Sequence, residues 1–144
     1  MEIKNPNYRE FVRNTIFAKA TFLAELGIQL TDVGPGWCTA TAELSERHLQ
    51  HSGLVHAGVI TTLSDHSCGG AAATLIGPEE NVLAVEFKIN FLRPATTRKL
   101  RCKATVLKAG KRLFIVESDV FAVDNEKEVH VSTSLETVAV IMMR

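Results

Sequence analysis

This 144-residue chain is short of three things. Cysteine occurs only at Cys38, Cys68 and Cys102. The three lie far apart, are odd in number and sit among apolar residues, which excludes a disulfide framework and a CxxC metal site and points to buried thiols in a reducing compartment. Uninterrupted apolar runs of about 18 residues are missing, and MEIKNPNYREF lacks the apolar centre of a signal peptide, so a cytoplasmic protein without a membrane span is expected. Net charge is missing as well: Lys plus Arg (16) cancels Asp plus Glu (16), so nothing argues for nucleic acid or a membrane as partner, and any anion site must be local. No repeat, low-complexity tract or linker divides the sequence, and there is no GxSxG elbow of a serine hydrolase.

What remains is ordinary globular composition, 46% hydrophobic and 22% charged, which reads as one domain over residues 1–144. From about Tyr8 to Leu26 the apolar residues Phe11, Val12, Ile16, Phe17, Ala20, Leu23 and Ala24 recur at helical intervals. Gly27 supplies a stop, so residues 1–27 are expected to carry a leading helix. Ile28–Val33 and Trp37–Leu44 read as strands around a Gly34-Pro35-Gly36 turn, the second with Cys38, Ala40, Ala42 and Leu44 on one face.

Further on, Gly77 and Pro78 end a helical pattern and Glu79, Glu80 and Asn81 make a solvated connection. Ala84–Phe91 then alternates Val85, Phe87, Ile89 and Phe91 against Glu86, Lys88 and Asn90, and Pro94 marks its end. Leu100–Leu107, Leu113–Val123 and Val129–Val140 supply three more strands, joined at Ala109-Gly110-Lys111 and Asp124-Asn125. The order predicts an α+β domain in which an antiparallel sheet wraps around one long central helix. Such a sheet has open edges, so dimerisation is expected.

The segment His48–Leu75 organises the rest. Its first half, HLQHSGLVHAG, is a polar loop, and its second half, VITTLSDHSCGGAAATL, fits a helix with one buried face. At 100° per residue Ile60, Leu63, Ser64, Ser67, Cys68, Ala71 and Leu75 gather on one side. Asp65 falls opposite, among the small residues Gly58, Thr62, Gly69 and Ala72 that would let a ligand or partner chain approach. It is the first functional candidate, with a simple helix-dipole contact as the plain alternative. The spacing of His48, His51, His56 and His66 matches no metal motif, and His51 and His66 are expected at the surface or an interface.

The pattern His48, Gln50, Gly53, His56, Ala57, Gly58 and Asp65 resembles the PaaI-like branch of the hotdog-fold thioesterases. There a loop H-x-N-x-x-G-x-x-H-G-G enters the central helix, and an acidic residue follows the last glycine by seven positions. The segment Phe91–Ala95, FLRPA, also resembles the family's proline-ended strand. Gln50 replaces the usual asparagine, Ala57 replaces the first glycine, and Ala84 lies where some relatives carry a hydroxyl.

The resemblance implies a hotdog fold and an acyl-CoA thioesterase acting on a medium-chain or aromatic acyl group. It implies no cofactor, coenzyme A being part of the substrate, and a homodimer or homotetramer in which Asp65 of one chain serves Gln50, His56 and Ala57 of another. Amides of Ala57 and Gly58 at the helix N-terminus would hold the oxyanion. Asp65 would act as general base or as nucleophile, Gln50 would orient water or thioester, and His56 would hold the loop or bond near the leaving sulfur. Arg93, Lys108, Lys111 and Arg112 are candidate partners for the coenzyme A phosphates, and Phe11, Phe17 and Phe22 could close the pocket or pack on the sheet. A hotdog-fold hydratase or dehydratase, and a non-catalytic acyl-CoA-binding module, are the alternatives.

Overall fold

A computed structural model describes residues 1–143 of the chain. The expected leading helix is broken. A short helix α1 (Tyr8–Phe11) runs into a π-helical stretch (Val12–Phe17), and α2 (Thr21–Glu25) follows. The Ala18 N–H reaches back five residues to the Arg13 carbonyl at 3.0 Å, the widened turn of a π-helix. The reason lies in Val12 and Phe17, both buried and five positions apart. A regular α-helix would point them about 140° away from each other, and the wider turn brings both inward. Gly27 ends the segment as expected, with φ +63°; a Cβ there would stand 2.2 Å from the Glu43 carbonyl oxygen.

The strands are β1 (Ile28–Gly34), β2 (Trp37–Glu43), β3 (Glu80–Phe91), β4 (Lys99–Ala109), β5 (Leu113–Asp124) and β6 (Lys127–Met142). They form one antiparallel sheet in the order β1-β2-β4-β5-β6-β3. Its inner face packs on the long helix α3 (Ala57–Ala73), giving the expected hotdog arrangement. The whole predicted stripe of α3, Ile60 through Leu75, is buried. Small residues on both sides, Ala71 and Gly70 on α3 and Ala40, Ala42 and Ala104 on the strands, let helix and sheet approach closely. Ala72 is buried too, so it is core and not part of the open face shared with Asp65.

β3 begins at Glu80, earlier than expected. The Glu80 carboxylate accepts the Gly77 N–H at 2.7 Å and stands 3.7 Å from the Lys4 ammonium. β3 is an edge strand whose register shifts between Ala84 and Glu86, which leaves Val85 61% exposed. Phe87 and Ile89 are only half-buried and Phe91 is exposed, so the alternation seen in the sequence marks a strand whose apolar face this chain leaves largely open.

All three cysteines are free and buried, and burial raises the Cys102 thiol to about 12. Among the described residues no helix is long and apolar enough to cross a membrane.

Close packing of α3 yields a paired prediction. A Cβ at Gly70 would meet the Phe17 ring at 2.8 Å and the Cys38 sulfur at 3.2 Å, whereas at Gly69 it meets nothing within 4 Å. Overpacking costs about 1–3 kcal/mol and replacing a helical glycine gains about 1. In urea titrations Gly70→Ala is therefore expected to lower stability by on the order of 1 kcal/mol and Gly69→Ala to raise it.

Candidate active site

The polar loop is a hairpin tied at both ends. His48 is buried; its Nδ1 accepts the Ser45 N–H at 3.0 Å and its Nε2–H donates to the Glu25 carbonyl at 2.6 Å. Leu49 bridges Val55, the Gln50 N–H donates to the Leu54 carbonyl, and Gly53 makes the turn with φ +82°. The Val55 N–H bonds the Ala95 carbonyl at 2.9 Å, which fixes the hairpin to the FLRPA segment. Between them opens a cavity of about 480 Å³ whose wall includes Gln50, His56, Ala57, Ile60, Phe91 and Arg93.

One expectation about this wall is corrected. His56 is the N-cap of α3, and its Nδ1 accepts the Gly58 N–H at 2.8 Å, so Gly58 is not a free oxyanion donor. The Ala57 N–H has no partner among the described residues and stands at the cavity wall. A cap on the second amide of the helix thus leaves the first one exposed. It also places the neutral imidazole's proton on Nε2, a donor free for a ligand. The Gln50 amide oxygen accepts from both the N–H and the hydroxyl of Ser52, so only its NH₂ group can reach a substrate.

Asp65 opens elsewhere, into a cavity of about 460 Å³ walled by α3, β3, β6 and the leading segment. It is half-buried and has no ion pair within 4 Å among the described residues. Burial raises its pKa above the usual carboxylate value, with His66 opposing the rise. Ala57 and Asp65 are eight positions apart on one helix, about 12 Å along its axis. The carboxylate and the free amide of one chain therefore face different cavities, and one carbonyl cannot touch both.

His66, expected at the surface or an interface, is half-buried at the wall of this cavity. Its Nε2–H donates to the Ile16 carbonyl at 2.8 Å, and its ring meets Phe17 edge-on with centroids 4.8 Å apart. Burial lowers its pKa, outweighing the raising effects of the Ile16 bond and Asp65. Of the three phenylalanines considered for closing the pocket, Phe11 packs against the core, Phe17 packs on α3 and Phe22 is 59% exposed, while Thr15, Ile16, Lys19 and Ala20 form the leading segment's share of the wall. Ala84 lines the same cavity.

A further residue of this cavity, Glu136 on β6, escaped the sequence reading. It is 1% exposed, and one carboxyl oxygen has no hydrogen-bond partner among the described residues. The signal was the register: counting back by twos from Val138 puts Glu136, Ser134 and Ser132 on the core face and Leu135 outside, and all four lie so.

The four candidate cations separate. Arg93 lies by the loop cavity and its guanidinium donates to the His130 carbonyl at 3.1 Å. Lys108, Lys111 and Arg112 surround the β4–β5 hairpin, where the Val140 N–H bonds the Arg112 carbonyl at 2.8 Å. Along β3 that is the far end of the sheet, about 30 Å away at strand rise. In one chain they form no single anion site.

His66 gives this site a pH signature. The folded chain holds it below the ordinary imidazole value of 6.5, so the folded state binds fewer protons than the unfolded one beneath that value. Its contribution to stability is complete above about pH 6.5 and declines as pH falls below it. Denaturant midpoints of native protein and His66→Gln, which keeps a donor for Ile16 but does not titrate, are expected to diverge less at pH 5.5 than at pH 7.5.

Comparison with known proteins agrees with the fold. A thioesterase family protein from Silicibacter pomeroyi superposes with a TM-score of 0.89 at 30% identity, over 94% of this chain and 98% of that one. A phenylacetic acid degradation-related protein from Ralstonia eutropha shares the fold with a TM-score of 0.79 at 18% identity, over 92% of this chain and 99% of that one. In sequence, the 1,4-dihydroxy-2-naphthoyl-CoA hydrolase of Listeria monocytogenes is 29% identical over 86 residues, 60% of this chain and 70% of its own. The sequence profile of the thioesterase superfamily matches residues 52–129, a span that carries His56, Ala57, Asp65 and Arg93. That span is more than half of the chain, and the protein belongs to the thioesterase superfamily of hotdog-fold enzymes.

Proposed function

We propose that this protein is an acyl-CoA thioesterase that hydrolyses a medium-chain or aromatic acyl-CoA to the free acid and coenzyme A. The observation that carries the reading is Asp65, a half-buried carboxylate without an ion-pair partner among the described residues, whose burial makes it a stronger base than a surface aspartate. It takes a proton from water, the oxygen attacks the thioester carbonyl, and the oxyanion receives the Ala57 N–H. Collapse expels the thiolate, which regains the proton. The alternative first step is attack by Asp65 itself, giving a mixed anhydride that water then opens. The free His56 Nε2–H and the Gln50 NH₂ group stand beside the Ala57 amide to orient the ester.

Because Asp65 and Ala57 of one chain face different cavities, the working site takes Asp65 from one subunit and Gln50, His56 and Ala57 from another. The dimer this needs is supported by the open edge of β3, where Val85, Phe91 and Leu92 stand exposed. Half-exposed Leu107, Leu113 and Leu135 supply surface for pairing dimers into a tetramer. Arg93 is the phosphate contact beside the loop, and Lys108, Lys111 and Arg112 of another subunit are further candidates. The apolar wall from Leu54, Val55, Ile60 and Leu92 suits a medium-chain or aromatic acyl group, as do the names of the Listeria and Ralstonia relatives. No cofactor is needed, and free thiols suit the cytoplasm.

One other reading has an observation behind it. The Gly58 amide and the Gln50 amide oxygen are both occupied within the loop, as in a module that binds acyl-CoA without hydrolysing it.

Thiol release from acetyl-, octanoyl- and phenylacetyl-CoA separates the two. Asp65→Asn is expected to lose at least about a hundredfold in kcat. Ala57→Pro deletes only the N–H, since proline suits the first helical position and His56 is already extended, with φ −62° and ψ 135°; it is expected to cost about 10²–10³-fold. Mixing the two inactive variants is expected to restore part of the activity if sites are shared between subunits. Binding of all three esters with no turnover by native protein would overturn the thioesterase reading in favour of the binding module.

A further inference from the structure

The cavity that holds Asp65 contains a second carboxyl which the thioesterase reading does not use. Glu136 reaches it from β6, with 1% of its surface exposed, less than 1 Å² on the Oε2 atom, and no hydrogen-bond partner for that atom among the described residues. The groups around it are few. α3 presents Asp65, His66 and the Cys68 thiol; the leading segment contributes Lys19; β3 contributes Asn81, Val82, Leu83 and Ala84, none of which titrates near neutrality. Neither carboxyl has a cation within 4 Å among the described residues. On the inner face of β6 the neighbours are Ser134, whose hydroxyl is paired with Ser118 at 2.6 Å, and Val138.

Two carboxyls on the wall of one cavity, one of them almost wholly buried and neither within 4 Å of a cation among the described residues, cannot both carry charge without a large cost. The better-solvated one ionises first. Asp65 is half-buried and Glu136 almost wholly so. Resting on the reading of Asp65 as the catalytic carboxylate, we propose that Glu136 is a positioning residue of the site. It stays a neutral acid at neutral pH, so that Asp65 alone bears the charge, and its ionisation in alkaline solution slows turnover.

Burial first, and the Asp65 charge second, push Glu136 up to about 8, which agrees with that order of ionisation. Asp65 and Glu136 then titrate as a pair in two steps. The lower step makes the base. The upper step places a second negative charge beside the carbonyl just where an oxyanion, a thiolate and a carboxylate product must form. Activity is therefore expected to rise through the first step and fall through the second.

The test is a carbon-13 NMR titration of the full chain with glutamate labelled at the side-chain carboxyl carbon, run beside a pH–rate profile on the acyl-CoA panel. The signal missing from both Glu136→Gln and Glu136→Asp is Glu136. It is expected to titrate near pH 8 in native protein and clearly lower in Asp65→Asn, where the neighbouring charge is gone. The alkaline fall in kcat is expected near the same pH in native protein and to be absent in Glu136→Gln. A Glu136 midpoint in the ordinary carboxylate range overturns the proposal, as does one that Asp65→Asn leaves in place or an alkaline fall that persists in Glu136→Gln. If no ester is hydrolysed, the thioesterase reading fails, and the two NMR midpoints still decide whether the carboxyls are coupled. Should Glu136→Gln not fold, Glu136→Asp assigns the signal and Asp65→Asn supplies the decisive shift.

Discussion

Close contact between α3 and the inner face of the sheet is the constraint on which the rest depends. A helix can lie that near a curved sheet only if the facing side chains are small, and here Ser64, Ser67, Cys68, Gly70 and Ala71 meet Cys38, Ala40, Ala42, Cys102 and Ala104. Small side chains bury little area each, so stability comes from the length of the contact and not from a few large anchors. The same closeness holds the helix N-terminus and Asp65 in fixed places eight residues apart. Strand and helix fix the chemistry as rigidly as they fix the core.

The sheet covers α3 on one side only. On the other side the cover is the leading segment, made of two short helices joined by a π-helical turn. Elements so short have little stability of their own. What holds this one is Phe17 lodged against Gly70, together with the bond from His66 to the Ile16 carbonyl. The wall of the Asp65 cavity is thus built from a weakly self-supporting part of the chain, anchored by a neighbour of the carboxylate it covers. Local opening would begin there, since few buried contacts need to be lost.

Much of this was legible in the sequence, and the misses have physical causes. The stripe on α3 and the alternation in β2 could be read because burial imposes its period on residue choice. Asp65 stood out because it broke that stripe. The π-turn was invisible because Phe11, Val12, Ile16 and Phe17 satisfy helical spacing about as well as they satisfy the wider turn. Glu136 was missed because β6 inverts the usual rule, hiding Ser132, Ser134 and Glu136 while leaving Leu135 48% exposed. The register shift between Val120 and Phe121 on the partner strand, opposite Val131, is where that inversion is set. The separation of Arg93 from the other three cations needed the sheet order, which local pattern does not contain.

The capping of α3 shows how one short motif reconciles stability with chemistry. A helix start leaves several amides unpaired, and a stable helix wants them bonded, while an oxyanion site wants at least one left open. His56 meets both demands by bonding the Gly58 N–H and leaving the Ala57 N–H bare. That division explains why alanine is tolerable at position 57, where the resemblance led one to look for glycine. In the role proposed for it the residue would serve through its backbone, and as the first residue of a helix it has a conformation open to any L-amino acid except where a side chain would block the ligand. A methyl group is the smallest such block. By the same logic Gln50 is the weaker departure: its longer side chain folds back on Ser52, so its oxygen accepts inside the loop and only its NH₂ group is left to meet a ligand.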